Sequence, residues 1–165
     1  RNRYPVVFIE SEVMYGDLGK VPEEEYVIPI GKTDIKKAGT DLTLVSYNKT
    51  MKVALNASAE LEKEGISAEV IDLRTIRPLD IETIVQSVKK TNRLVVVEEQ
   101  WPFGSVSSEI TYRVQKDAFD YLDAPIRRIC NTDTSMHYAS NLVAAHLPDV
   151  GRTVKAVKDI MYARK

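Results

Sequence analysis

The chain has 165 residues, enough for one domain with a short attachment, and its 44% hydrophobic and 28% charged shares are those of a globular protein that buries a core without disulfide or metal. A formal net charge of −1 leaves no basic excess for a phosphate backbone, so nucleic acid is not an expected partner, and no apolar run approaches a membrane span. The single cysteine, Cys130, cannot close an internal disulfide, and neither metal-ligand spacing nor a signal peptide is visible, which points to a reducing compartment.

The chain opens at Arg1 without a methionine, which reads as a fragment of something longer. Pro5 to Ile9 reads as a buried strand, and Glu10 to Glu25 is acidic and irregular, punctuated by Gly16, Gly19 and Pro22. The expected organisation is therefore a last strand of a preceding domain plus linker over residues 1–25, and a second domain over residues 26–165. Gly31 to Tyr47 is predicted as a hairpin turning at Gly39. Thr50 to Glu64 has helical spacing, with Met51, Ala54, Leu55, Ser58 and Leu61 facing inward and Gly65 as a stop. Ala68 to Leu73 is a strand. Pro78 and Asp80, the latter a candidate N-cap, then introduce a helix with Ile81, Ile84, Val85 and Val88 on one face.

The stretch from Arg93 to Ile110 is the centre of the pattern. Leu94 to Val97 is a continuous apolar run suited to a strand covered on both faces. Glu98 to Gly104 breaks the run, and Val106, Ile110 and Val114 restart it at helical spacing. Ile126 to Cys130 is another strand, and Asn131 to Leu147 is polar without a clear element. Asp149 caps a last helix with Val150, Val154, Val157 and Met161 along its seam. Alternating strands and helices imply right-handed crossovers and a mostly parallel sheet covered on both sides. In such a sheet, ligands and partners meet the loops at the carboxyl ends of the strands.

Those loops carry little obvious chemistry. Neither Asn48-Lys49-Thr50 nor Arg74 to Pro78 holds a glycine, and Gly104 alone makes no phosphate cradle. Glu98 and Glu99 admit an acid–base reading, but neighbours on extended backbone point to opposite sides, so capping or interface ion pairing is favoured. Trp101 is either an interface anchor or a cover for its own domain. Arg74, with Asp72 and Arg77, fits an anion clamp or an internal ion pair, the latter favoured. His137, with Asp133 as its visible neighbour, is read as a surface or interface histidine rather than a proton shuttle, and His146 as structural. Cys130 ends an apolar strand and reads as an inert thiol. No catalytic, cofactor or metal residue is assigned.

Several stretches together resemble a known family, the β subunits of thiamine-dependent 2-oxo acid dehydrogenases. Pro5-Val-Val-Phe-Ile-Glu10 with Met14-Tyr15-Gly16 resembles the end of their pyrimidine-binding domain, and Ile28-Pro-Ile-Gly-Lys32 the start of their C-terminal domain. Glu69 to Asp80, Ser87 to Glu99 and Phe119 to Pro125 continue the likeness through nearly the whole chain.

The resemblance implies a transketolase-type C-terminal domain, a three-layer α/β/α fold on a mostly parallel five-stranded sheet with one antiparallel strand. Met14-Tyr15-Gly16 is similar to the pyruvate branch; branched-chain oxo acid and acetoin dehydrogenases are the alternatives. The implied whole enzyme is an α2β2 tetramer using thiamine diphosphate and magnesium, and it passes acetyl groups to lipoyl domains of an acyltransferase core. The cofactor-activating residues of that family belong to the preceding domain and the diphosphate–magnesium site to the α subunit, so no cofactor is expected in this fragment. What remains is an assembly domain contacting the α subunit and a second β subunit. Asp149, Asp159 and the last helix are the places implied for the acyltransferase. The family's Asp-x-Pro-x-Pro-Tyr loop is here Asp133-Thr-Ser-Met-His-Tyr138, with Asp133 and Tyr138 kept and both prolines gone. The implied compartment is the cytoplasm in bacteria and the mitochondrial matrix or plastid in eukaryotes. Two other readings stay open: a free-standing flavodoxin-like module binding a small molecule at Glu98 to Gly104, and a scaffold whose only role is subunit contact.

Overall fold

In a computed structural model, residues 4–161 are described; the outermost residues of both expected segments, 1–3 and 162–165, lie outside them. The strands are β1 (Asp34–Lys37), β2 (Leu42–Ser46), β3 (Ala68–Asp72), β4 (Leu94–Val97) and β5 (Arg127–Ile129). The helices are α1 (Thr50–Lys63), α2 (Ile81–Thr91), α3 (Val106–Ala118), α4 (Ser140–His146) and α5 (Val150–Met161). The strands form one five-stranded sheet in the order β1-β3-β2-β4-β5. All neighbours are parallel except β1, which runs antiparallel to β3.

The continuous apolar run of β4 is explained by its two covered faces. Val95 and Val97 point with Leu42, Leu44 and Val70 toward Met51, Ala54 and Leu61 of α1 and Val157 and Ile160 of α5. Leu94 and Val96 point with Val45 and Ile71 toward Ile84, Val85 and Val88 of α2 and Ile110 and Val114 of α3. A strand between two helical layers has no polar face to alternate with. This is the implied three-layer α/β/α architecture.

Several expectations are corrected. The hairpin is absent: β3 lies between β1 and β2, and Gly39 does not adopt a left-handed φ. Gly39 instead lets residues 38–41 cross the start of β3, where the Thr40 and Asp41 amides both donate to the Ser67 carbonyl at 3.1 and 2.9 Å. Pro5 to Ile9 is not a buried strand. Val6, Val7, Phe8 and Ile9 are exposed and join no strand of this sheet. Leu55 points outward at 38% exposure and Ala57 takes its inward place. The polar stretch 131–147 contains α4, and the innermost residues of α5 are Thr153, Val157 and Ile160, with Val150, Val154 and Met161 only half-buried.

The Asp80 cap is present: its carboxylate accepts from the Thr83 amide at 3.5 Å and hydroxyl at 2.9 Å, and from the Thr33 amide at 3.1 Å. Burial pushes the Asp80 carboxyl up, but these hydrogen bonds outweigh it and hold the group below its ordinary range. Glu69 behaves alike, with burial overcome by the Lys90 ammonium and Ser87, and Asp34 is lowered chiefly by Lys36. A carboxyl held low in the folded chain takes up its proton more readily once unfolded. Its stabilisation is therefore present above about pH 4–5 and is lost as pH falls through the folded-state values. Urea midpoints are expected to be flat from about pH 7 to 5 and to drop below about pH 4, and Asp80→Asn is expected to flatten that drop.

Candidate functional site at the carboxyl ends of the strands

After β2 the chain moves outward to β3 and then back across to β4, so the topological switch point lies between β2 and β4. In a doubly wound sheet, that is where a ligand crevice opens. Here the two flanking loops are bonded to each other. Ser46 and Thr50 donate hydroxyl hydrogens to the Val97 carbonyl at 2.8 and 3.4 Å, the Tyr47 hydroxyl donates to Glu98 Oε2 at 3.0 Å, and Lys49 Nζ meets Glu99 Oε2 at 2.5 Å.

Glu98 and Glu99 do point apart, as extended backbone requires. Glu98 is 0% exposed and turns toward the start of α3, where both its oxygens accept from the Ser107 amide at 3.1–3.2 Å. A carboxylate at this position satisfies an orphan amide and sits at the positive end of the helix dipole. An external anion would have to displace it. Burial and then the Glu98 charge push the Tyr47 phenol up, so it remains a donor at neutral pH. The Cys130 thiol lies 3.6 Å from Glu98 Oε1 and 3.8 Å from Ser107 Oγ; burial pushes it up, so the group is an inert thiol there. The sequence reading anticipated the capping role of Glu98 but missed Tyr47 and Lys49, whose only signal is their place one and three residues beyond a strand.

Trp101, half exposed, donates its indole N–H to the Thr134 carbonyl at 2.8 Å, joining the β4–α3 loop to the segment after β5. Asp133 lines a shallow hollow beside it with Thr134 and Ser135. Phe103 is 92% exposed on the same loop, where Gly104 turns with φ +65°, and Tyr138 is fully exposed. His137 stands edge-to-face against His146, ring centroids 5.9 Å apart.

The remaining sequence candidates lie away from this group. Arg74, at φ +53°, pairs with Asp34 at 2.5 Å and donates its amide to Asp72 at 3.1 Å, which is the internal ion pair rather than an anion clamp. Asp149 caps α5 by accepting from the Arg152 amide at 2.8 Å. Asp159 is exposed beside a surface hollow between α1 and α5 that also touches Glu60, Lys155 and Lys158. Among the described residues no three His, Cys, Asp or Glu side chains converge as metal ligands, and no helix is long and apolar enough to cross a membrane.

Comparison with known proteins places this arrangement. The chain is 52% identical over 163 residues to the pyruvate dehydrogenase E1 component subunit beta of Rhizobium meliloti, covering 98% of this chain and 35% of that protein. It is 47% identical over 169 residues to the mitochondrial subunit beta of Dictyostelium discoideum, covering all of this chain and 48% of that protein. It thus spans half or less of the length of these relatives. Among solved structures, a split-gene transketolase described as an inactive beta4 tetramer superposes with a TM-score of 0.73 at 24% identity, covering 90% of this chain and 47% of that one, which speaks for the fold. The model of the transketolase C-terminal domain matches residues 31–152, beginning three residues before β1 and ending in the first turn of α5. The chain belongs to the transketolase C-terminal domain family.

Proposed function

We propose that this chain is the assembly half of a pyruvate dehydrogenase β subunit. In the whole enzyme, pyruvate is decarboxylated with thiamine diphosphate and magnesium, and acetyl groups pass to lipoyl domains. The observation that carries this reading is the 44–52% identity to subunits of that name along 98–100% of the chain in five relatives. Residues 1–25 are read as the end of the preceding domain plus linker; the unpaired apolar residues 6–9 would complete a sheet that this chain does not contain. Residues 26–165 are the assembly domain.

The residues present do not fit a diphosphate–magnesium site. The buried N-terminus of α3 already holds the Glu98 carboxylate, a charge of the wrong sign for a diphosphate, and the acidic groups do not converge elsewhere among the described residues. No reaction step is therefore assigned to this chain. The same carboxylate disfavours the flavodoxin-like reading. The strand-end loops, with exposed Phe103 and Tyr138 and half-exposed Trp101, are read as contacts to the α subunit and the second β subunit of an α2β2 tetramer. The hollow between α1 and α5 is read as the face toward the acyltransferase. The bacterial or mitochondrial setting follows that of the parent enzyme.

The test uses the full-length β subunit mixed with its α subunit and followed by light scattering. Phe103→Ser with Tyr138→Ser is expected to weaken association at least about tenfold, about 1.4 kcal/mol, without changing the circular dichroism spectrum. Unchanged association would remove these loops from the interface. Calorimetry of the 165-residue chain with thiamine diphosphate and magnesium is expected to show no specific heat, and stoichiometric binding would overturn the division of roles.

A further inference from the structure

His146 is 1% exposed. Its Nδ1 is engaged by the Thr132 hydroxyl at 2.7 Å and the Thr134 hydroxyl at 3.4 Å, and its carbonyl accepts from the Thr132 amide at 3.0 Å. Among the described residues its Nε2, which is buried, has no hydrogen-bond partner. One imidazole at the end of α4 thus holds residues 132–134 by both side chain and backbone. Trp101 holds the same segment from the other side through the Thr134 carbonyl. Beyond this double clamp, residues 132–140 are all exposed and carry Asp133, Met136, His137 and Tyr138. Residues 132–139 have no strand or helix of their own and no proline to stiffen them before α4.

Such a clamp depends on the charge of the ring. A neutral imidazole presents one donor and one acceptor; the cation presents two donors. The Nδ1 side can serve a hydroxyl in either state, because the hydroxyl rotates. The described residues offer no acceptor on the Nε2 side, so the cation would leave a buried charged donor unsatisfied. The charged groups around the site do not relieve this. From α5, Arg152 brings a guanidinium to the Leu147 and Cys130 carbonyls at 3.0 and 2.8 Å, a like charge next to the histidine. Asp149 is engaged as the cap of α5. From the segment itself come His137, which stands edge-to-face and would add a second positive charge when protonated, and the exposed Asp133. From the end of β5 comes the buried Cys130 thiol, and α4 carries no charged residue before His146. From the β4–α3 loop, Glu99 is committed to Lys49.

We infer that His146 is a proton-operated latch on the strand-end segment 131–138: the neutral ring holds the segment closed, and protonation releases it. The latch stands on the geometry alone. That it governs subunit contact rests on the reading of this segment as a docking loop.

The experiment is hydrogen–deuterium exchange on the full-length subunit, with rates corrected for intrinsic chemistry, at about pH 7.5 and about pH 5.5, a window that histidine titration spans. In the unmodified protein, the peptide covering 131–138 is expected to exchange about tenfold faster at the lower pH, while peptides from α1 and β4 stay unchanged. His146→Gln, which keeps a side-chain amide but cannot be protonated, is expected to abolish the difference, and His137→Gln to preserve it. A pH-independent segment in the unmodified protein, or a difference that survives in His146→Gln, would overturn the inference. The comparison of wild type with His137→Gln keeps the test decisive if His146→Gln fails to fold. Association with the α subunit is measured separately at both pH values. A segment that opens without weakening association leaves the latch standing and refutes its link to docking.

Discussion

Replacing Glu98 by alanine is expected to cost about 3–5 kcal/mol of folding stability, the largest effect of any single side chain at the strand ends. The substitution frees the Ser107 amide at the start of α3, which loses the acceptor that Glu98 supplies. It also strands the Tyr47 hydroxyl, a half-buried donor whose partner is Glu98 at 3.0 Å. Losing a cap costs about 0.5–2 kcal/mol and leaving a buried donor unmet about 1–3 kcal/mol, and a cavity adds to both. Glu98→Gln keeps the volume and one acceptor, so about 1–2 kcal/mol is expected there. Tyr47→Phe is expected to cost about 1 kcal/mol alone and less than that on top of Glu98→Ala, because the second change removes the donor that the first one orphaned. Urea midpoints of the four proteins decide this. An unshifted midpoint for Glu98→Ala would show that Glu98 does not hold the two loops together.

Gly39→Ala is expected to be comparably damaging for a different reason. An added Cβ would lie 2.6 Å from the Ala68 carbonyl oxygen and closer still to the Ala68 carbonyl carbon and Glu69 amide nitrogen, all backbone atoms of a central region that cannot step aside. The loss is expected to be about 3 kcal/mol or more, seen as a lowered urea midpoint or as failure to recover soluble protein. Two other glycines calibrate the claim. Gly65 has φ +81° but open space around it, so alanine there is expected to cost about 1 kcal/mol through backbone strain alone. Gly16 has neither constraint, and alanine there is expected to be neutral. If all three alanine variants were equally stable, the close crossing of residues 38–41 over β3 would be wrong.

Most of the sheet could be read in advance, because two-sided burial leaves an uninterrupted apolar run. Leu94 to Val97 carries that mark unbroken, and Leu42 to Val45 and Ala68 to Leu73 carry it around Thr43, Glu69 and Asp72; all three are interior strands. The failures lie where pairing partners are far apart in the chain. Two strands joined by four residues containing a glycine look like a hairpin locally; only the Ser67 carbonyl, which takes both the Thr40 and Asp41 amides, shows that another strand intervenes. Pro5 to Ile9 has strand composition but no partner in this sheet, and composition alone does not say in which sheet a strand belongs. The short α4 was hidden because only His146 of its seven residues is buried, so no apolar periodicity develops. At the strand ends, Glu98 was legible from the order strand, acid, helix. The latch at His146 was not, since Thr132 and His146 are fourteen positions apart and polar side chains carry no spacing rule.

The antiparallel edge strand has a consequence for how the protein is made. β1 pairs Asp34 with Asp72, about forty residues later, and cannot be seated until β3 has been synthesised. The first strand of this sheet to be synthesised is thus among the last to find its neighbour. Its consecutive lysines, Lys36 and Lys37, keep that waiting segment soluble during synthesis, and afterwards they guard the finished border of the sheet against another chain.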